Sequence, residues 1–122
     1  MVLFTAWPDW AELDSRVKKF PKLQPGPQFE YFLVAGSMVG INCDDDVVED
    51  YDEAELRAVS EELGRFKASL IEYENAEVRD IFIREVLRGL RGLLDTNYGE
   101  ILSYSSTRQW VLDHPLRHFR EM

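Results

Sequence analysis

Two apolar runs, Phe29 to Ala35 and Met38 to Cys43, are separated by only Gly36-Ser37, and this pairing constrains the fold of the chain more than any other feature. Short β-prone runs joined by two residues form a hairpin, and glycine at the first turn position suits a type II′ turn. A hairpin of this kind must bury one face against something else, so further strands and a covering helix are expected. Phe66 to Tyr73 supplies a strand by imperfect alternation. Phe66, Ala68, Leu70 and Glu72 fall on one face, with Lys67, Ser69, Ile71 and Tyr73 on the other. Residues 100–104 follow the turn Asp95-Thr96-Asn97-Tyr98-Gly99 and predict a last strand.

Helical periodicity supplies the other layer. Trp7, Trp10, Leu13, Val17 and Phe20 recur at spacings of three and four, with Thr5 or Asp9 as cap and Pro8 in the first turn, which predicts a short amphipathic helix ending before Pro21. Three prolines and a glycine make 21–28 a loop. Leu56, Val59 and Leu63 form a narrow stripe within 52–63, closed by Gly64 in a left-handed cap. The longest helix is expected over 75–94, capped by Asn75, with Val78, Phe82, Val86, Leu90 and Leu93 on its apolar side. On its opposite side Asp80 is expected to pair with Arg84, while Arg84, Arg88 and Arg91 read as a solvated face. A short helix over 106–112 precedes Pro115. The fold class is therefore α+β: a small mixed or antiparallel sheet, made of the 29–43 hairpin and strands near 66–73 and 100–104, covered by helix 75–94. Strand 38–43, helix 52–63 and strand 66–73 would form a right-handed parallel crossover if both strands share a sheet.

A chain of 122 residues with 45% hydrophobic residues and three tryptophans fits one folded domain, 1–122, with its own core. No apolar run approaches the roughly 20 residues of a membrane span, and the N-terminal residues lack the basic region of a leader. A cytoplasmic location is expected. The single cysteine, Cys43, excludes an internal disulfide framework.

The charge is not evenly spread. Residues 44–63 hold ten carboxylates and one arginine, whereas 1–43 hold four of each sign and 64–122 nine of each, so this stretch alone accounts for the net charge of −9. Charge of one sign gathered on one small surface attracts positive surfaces and speeds association. The same field repels phosphates, so nucleic acid is not an expected partner.

Catalytic and metal readings find little support. Asp44, Asp46 and Glu55 fall at the first, third and twelfth positions of a calcium loop, but Glu49 stands where the sharp turn needs glycine and Val48 stands at the fifth. His114 and His118 have i, i+4 spacing, yet Pro115 replaces the glutamate of the zinc-protease pattern. Cys43 ends an apolar strand and reads as a structural thiol. Arg79 lies among the apolar side chains of its helix and needs a partner, with Glu72 or Glu74 the natural choice for a structural ion pair. The aromatics Trp7, Trp10, Phe29, Tyr31 and Phe32 read as core. No metal, cofactor or catalytic residue is assigned, and the chain reads as a non-enzyme.

The acidic stretch Asp44 to Glu62, and the tail from Asp95-Thr96-Asn97-Tyr98-Gly99-Glu100-Ile101-Leu102 into Trp110 and His114-Pro115, give the chain a likeness of general form. It resembles the small, acidic, single-domain immunity proteins of bacterial toxin systems, which bind and neutralise a cognate toxin, often a nuclease. The resemblance implies that Asp44, Asp45, Asp46, Glu49 and Asp50, with Glu53 and Glu55, supply charge to a basic partner protein, and that Tyr51 serves as an aromatic anchor. A different class of function is a regulatory or assembly protein that homodimerises, or docks on a basic subunit, through its sheet or helices. An exposed apolar patch beside the hairpin would favour it.

Overall fold

The computed structural model describes residues 1–122. In chain order the elements are β1 (Val2–Ala6), α1 (Trp7–Lys18), β2 (Glu30–Val34), β3 (Ser37–Asn42), α2 (Glu53–Leu63), β4 (Phe66–Tyr73), α3 (Ala76–Val86), β5 (Gly92–Asp95), β6 (Ile101–Ser103) and α4 (Tyr104–Asp113). Short 3₁₀ turns occupy Asp45–Val48 and Phe119–Glu121. One six-stranded sheet runs in the order β2-β3-β4-β1-β5-β6, and every neighbouring pair is antiparallel. The fold is α+β, and no helix is long and apolar enough to cross a membrane.

The hairpin forms, with its turn one residue earlier than expected. Val34 pairs with Ser37, leaving Ala35-Gly36 as the loop. Both residues have positive φ, +49° and +82°, as a type I′ turn requires, whereas type II′ needs it only at the first position. The predicted parallel crossover does not occur. β3 and β4 are adjacent and antiparallel, with Ile41 opposite Ile71, so the 3₁₀ turn and α2 form a long excursion between two neighbouring strands.

The expected helix 75–94 is cut short. It ends at Val86, and Gly89, at φ +74°, turns the chain back toward the sheet. Leu93 and Leu94, assigned by periodicity to a helix, lie instead in β5 opposite Phe4 and Leu3. Gly92 permits this approach, because a Cβ there would collide with the Tyr104 ring and the Phe4 carbonyl. The strand that β5 joins, β1, was not expected from sequence. All five of its residues are buried, and it lies between β4 and β5 near the middle of the sheet.

Both faces of the sheet are covered, unequally. On one face Leu3, Val39, Ile41, Ile71 and Leu94 meet Leu13 and Val17 of α1, Val78, Phe82, Ile83 and Val86 of α3, and Val111 of α4 in a core of 18 buried residues. On the other, Val2, Phe4 and Ala68 meet Val59 and Leu63 of α2 in a core of five buried residues, with partly buried side chains around it. The larger core encloses an ion pair. Arg79 is buried as expected, but its partner is Asp80, at 2.6 Å, and neither Glu72 nor Glu74. The Asp80–Arg84 pair is therefore not formed, and Asp80 is not on a solvated face. The second oxygen of Asp80 accepts the Leu116 N–H at 2.7 Å, while Arg79 donates to the Arg117 carbonyl and lies over the Phe119 ring. The pair thus ties α3 to the C-terminal segment and satisfies its own polar atoms, as buried charges must.

Candidate functional site

The acidic segment begins where β3 ends. Asn42 Oδ1 accepts the Asp44 N–H at 2.9 Å, and Asp44, in extended conformation, leads into the 3₁₀ turn. Asp52 then caps α2 reciprocally with Glu55: the Asp52 carboxylate accepts the Glu55 N–H at 2.8 Å and the Glu55 carboxylate accepts the Asp52 N–H at 3.1 Å. Such a capping box satisfies two otherwise orphaned donors, and acids in a first helical turn oppose the helix dipole favourably. The apolar members of the segment, Val47, Val48, Tyr51 and Leu56, pack inward on the smaller core. Its carboxylates are left outside: Asp44, Asp45, Asp46, Glu49, Asp50, Glu53 and Glu55 are all exposed.

Little in the protein neutralises them. The segment 44–63 contributes to a single ion pair, Lys67–Asp45 at 3.8 Å, and the Asp45 carboxylate in it is fully exposed. A long pair in that setting is worth at most about 1 kcal/mol. Arg91 also reaches α2, but its guanidinium donates to the Glu62 carbonyl and not to a carboxylate.

Tyr51 has a place of its own. Its ring meets Phe4 edge-on at 5.2 Å, and its hydroxyl donates to Asp95 Oδ2 at 2.5 Å. Burial pushes the phenol well above its ordinary range, and the hydrogen bond to the Asp95 carboxylate adds to this. Half-buried and bonded within the chain, Tyr51 holds the acidic segment on the sheet.

Between that segment and the sheet runs an open cleft of about 590 Å³. Its floor is one cross-strand row. Asn42 is opposite Leu70, Leu70 opposite Val2, and Val2 opposite Asp95, so four strands each contribute one side chain. The wall consists of Asp46, Val47, Asp50, Tyr51 and Glu55, with Gln28 and Asn97 also lining the cleft. None of the four carboxylates Asp46, Asp50, Glu55 and Asp95 is in an ion pair. No three acidic, histidine or cysteine side chains of the chain converge closely enough to hold one metal ion.

Sequence reasoning therefore located the wall of this cleft and missed its floor. Asp95 read as a turn residue, and Val2 was assigned to no element. One signal was available: Asn42 is the polar residue in the run Met38 to Cys43, and a polar side chain at a buried strand position asks for a reason.

The remaining candidates are dispersed. Cys43 lines a separate cavity of about 220 Å³ beneath α1, with Trp10, Leu13, Val17, Phe32 and Ile41. Burial raises its thiol to about 11, so it is protonated and a poor nucleophile near neutral pH. His114 and His118 do not share a helix face, because α4 ends at Asp113 and a turn separates them. His114 stacks on Trp110, and His118 accepts the Arg120 N–H and meets Tyr98 edge-on. Of the five aromatics assigned to the core, Phe32 is fully buried and Trp10, Phe29 and Tyr31 are half-buried. Trp7 is exposed beneath the Arg65 guanidinium at 4.1 Å.

No protein-family model, curated protein or solved structure matches this chain.

Proposed function

We propose that this chain is a non-catalytic binding protein that neutralises a basic partner protein, in the manner of an immunity protein occluding a bacterial toxin in the cytoplasm. The observation that carries this reading is the fixed, outward and almost unpaired array of carboxylates from Asp44 to Glu55. Like charges held together repel one another and cost stability, and a basic surface relieves that repulsion. A nuclease cleft is such a surface, since it is basic in order to hold phosphates. Occupying it with Asp44, Asp45, Asp46, Glu49, Asp50, Glu53 and Glu55 gives fast, steered association and excludes the nucleic acid. Tyr51 contributes as the aromatic that seats the segment on the sheet, through its contact with Phe4 and its hydrogen bond to Asp95.

The test is retention of a basic protein from a lysate of the source cell at low and moderate salt. One partner, lost as salt rises and lost again on neutralising Asp44, Asp45 and Asp46, supports the reading. Retention that survives charge reversal at Asp44, Asp45 and Glu49 at low salt removes it.

A second reading rests on a different observation. Leu33 and Met38 are directly opposite on the hairpin and both exposed, and Ile101 is exposed on the β6 edge. These suit self-association or docking on a subunit. Sedimentation of the protein and of Leu33→Ser/Met38→Ser distinguishes the two: a dimer that the double variant dissolves favours assembly.

A further inference from the structure

We infer that two copies of this chain associate edge to edge through β6, pairing Ile101 with its own counterpart about a two-fold axis and joining the two sheets into one. The inference rests on the second, assembly reading above and names its surface: the β6 edge, and not the face of the hairpin that carries Leu33 and Met38.

The two edges of the sheet differ. At β2 the outward backbone groups are used within the chain. The Tyr31 carbonyl accepts the Leu23 N–H and the Leu33 N–H donates to the Pro21 carbonyl, each at 2.8 Å, with Lys22 bridged to Phe32 between them. At β6 the bonding direction follows from the ladder. The Ala6 N–H donates to the Arg91 carbonyl, which turns the alternate residues Leu93 and Asp95 toward β1 and leaves Leu94 for β6. The Thr96 N–H donates to the Glu100 carbonyl, so Glu100 and Leu102 face β5. Ile101 therefore points its N–H and its C=O away from the sheet. No hydrogen bond from a loop or turn reaches Ile101, and its side chain is exposed. An edge in this state, with neither proline nor lysine on it, is a template for another strand.

The pattern around that edge fits a second copy. Antiparallel pairing about Ile101 lets each Ile101 N–H donate to the other copy's Ile101 carbonyl, so the free groups of one chain satisfy those of the other. The same register sets isoleucine against isoleucine and Glu100 against the second copy's Leu102, with no like charges opposed. Gly99 falls opposite Ser103, and a side chain at Gly99 would meet only open space, so nothing crowds the approach. Charge adds a directed contact. Leu102 is in register with Leu94, on the face where α4 packs, so the second copy's Glu100 comes to the start of α4. α1, α2 and α3 each carry an acid in the first turn and α4 carries none, and a carboxylate there interacts favourably with the helix dipole. A strand of three residues buries little area, so the association is weak, with a dissociation constant on the order of 0.1 mM.

The experiment is sedimentation equilibrium of the full chain up to about 1 mM, with an isotope-filtered NOE measurement on a mixture of labelled and unlabelled protein. Moderate salt screens the repulsion between two chains of net charge −9. A monomer–dimer equilibrium is expected, with a contact between the Glu100 and Leu102 Hα atoms of different chains, since these form the non-hydrogen-bonded pair beside Ile101. Ile101→Lys opposes two cations at the axis and should weaken the dimer by about tenfold or more. Because Ile101 is exposed, the unfolding midpoint of that variant should match the parent's. Leu33→Ser/Met38→Ser should leave the dimer unchanged. A dimer that the hairpin variant dissolves and Ile101→Lys does not overturns the inference and leaves the assembly reading with the hairpin as its surface. A dimer without the Glu100–Leu102 contact also overturns it. A chain that stays monomeric overturns it as well, and leaves only docking on a different subunit to the assembly reading.

Discussion

The two faces of the sheet handle charge in opposite ways. Beneath α1, α3 and α4 one arginine and one carboxylate are taken fully out of water, paired with each other, and bonded to the backbone of the C-terminal segment. Beneath α2 and the 3₁₀ turn the larger number of charges stays in water, almost unpaired, over a core of five residues. The difference teaches that the count of charges says little about what they do for the fold. Burial decides, because desolvation makes a single internal pair consequential while many exposed carboxylates act mainly on what approaches from outside.

The contrast breaks most readily at Asp80. Asp80→Ala leaves the Arg79 guanidinium buried without its counter-charge and the Leu116 N–H without an acceptor, so a loss of about 3–5 kcal/mol is expected in urea unfolding. A loss below 1 kcal/mol would mean that the pair is dispensable and the two faces less different than drawn. The cores themselves are compared by Ile83→Ala and Leu63→Ala. Both fall within about 2–5 kcal/mol, the first near the top, since the smaller core is thin enough to relax around the deletion. Equal losses would show that α2 is packed as firmly as α3.

Alkaline pH probes the two faces together. Burial raises Cys43 under α1 from 9.0 to about 11, and raises Tyr51 on the acidic side and Tyr104 in the larger core above their usual 10. In each case the unfolded chain gives up its proton first. The stabilisation is thus complete below pH 9 for the thiol and below pH 10 for the phenols, and is lost as pH rises through the folded values. Cys43→Ala should flatten the decline in stability between pH 9 and 11, measured as slope and not as absolute stability; an unchanged slope contradicts the assignment. The smallest effects belong to the exposed carboxylates. Glu49→Gln and Asp50→Asn should each alter stability by no more than about 0.5 kcal/mol, with the difference shrinking as salt is added.

These expectations also mark how much of the molecule is legible in its sequence. Wherever one face of an element is buried and the other wet, the pattern is plain: α1 from Trp7, Leu13 and Val17, and α2 from Val59 and Leu63 with its Asp52–Glu55 box, while the start of α3 is marked by the cap at Asn75. Where both faces are covered the pattern vanishes. Val2-Leu3-Phe4-Thr5-Ala6 has no period to read, and Leu90, Leu93 and Leu94 continue the helical spacing of α3 into residues that belong to a turn and a strand. The two glycines at 89 and 92, which stop that helix, look ordinary until the Tyr104 ring and the Phe4 carbonyl are seen against Gly92. The candidate site divides in the same way. Its acidic wall is contiguous in sequence and was read directly, whereas Asn42, Leu70, Val2 and Asp95 become neighbours only through the ladder.

The sequence by itself determined the class of fold, the spans of α1 and α2, the hairpin, and the concentration of negative charge between Asp44 and Leu63, because each depends on residues within a turn or two of one another. Only the tertiary structure decided that β1 lies near the middle of the sheet, that Asp80 faces Arg79 and not solvent, that β3 and β4 run antiparallel, and that four distant residues form one cleft floor. Those outcomes depend on cross-strand registers and on desolvation at close contact, and both act between parts of the chain with no common local pattern.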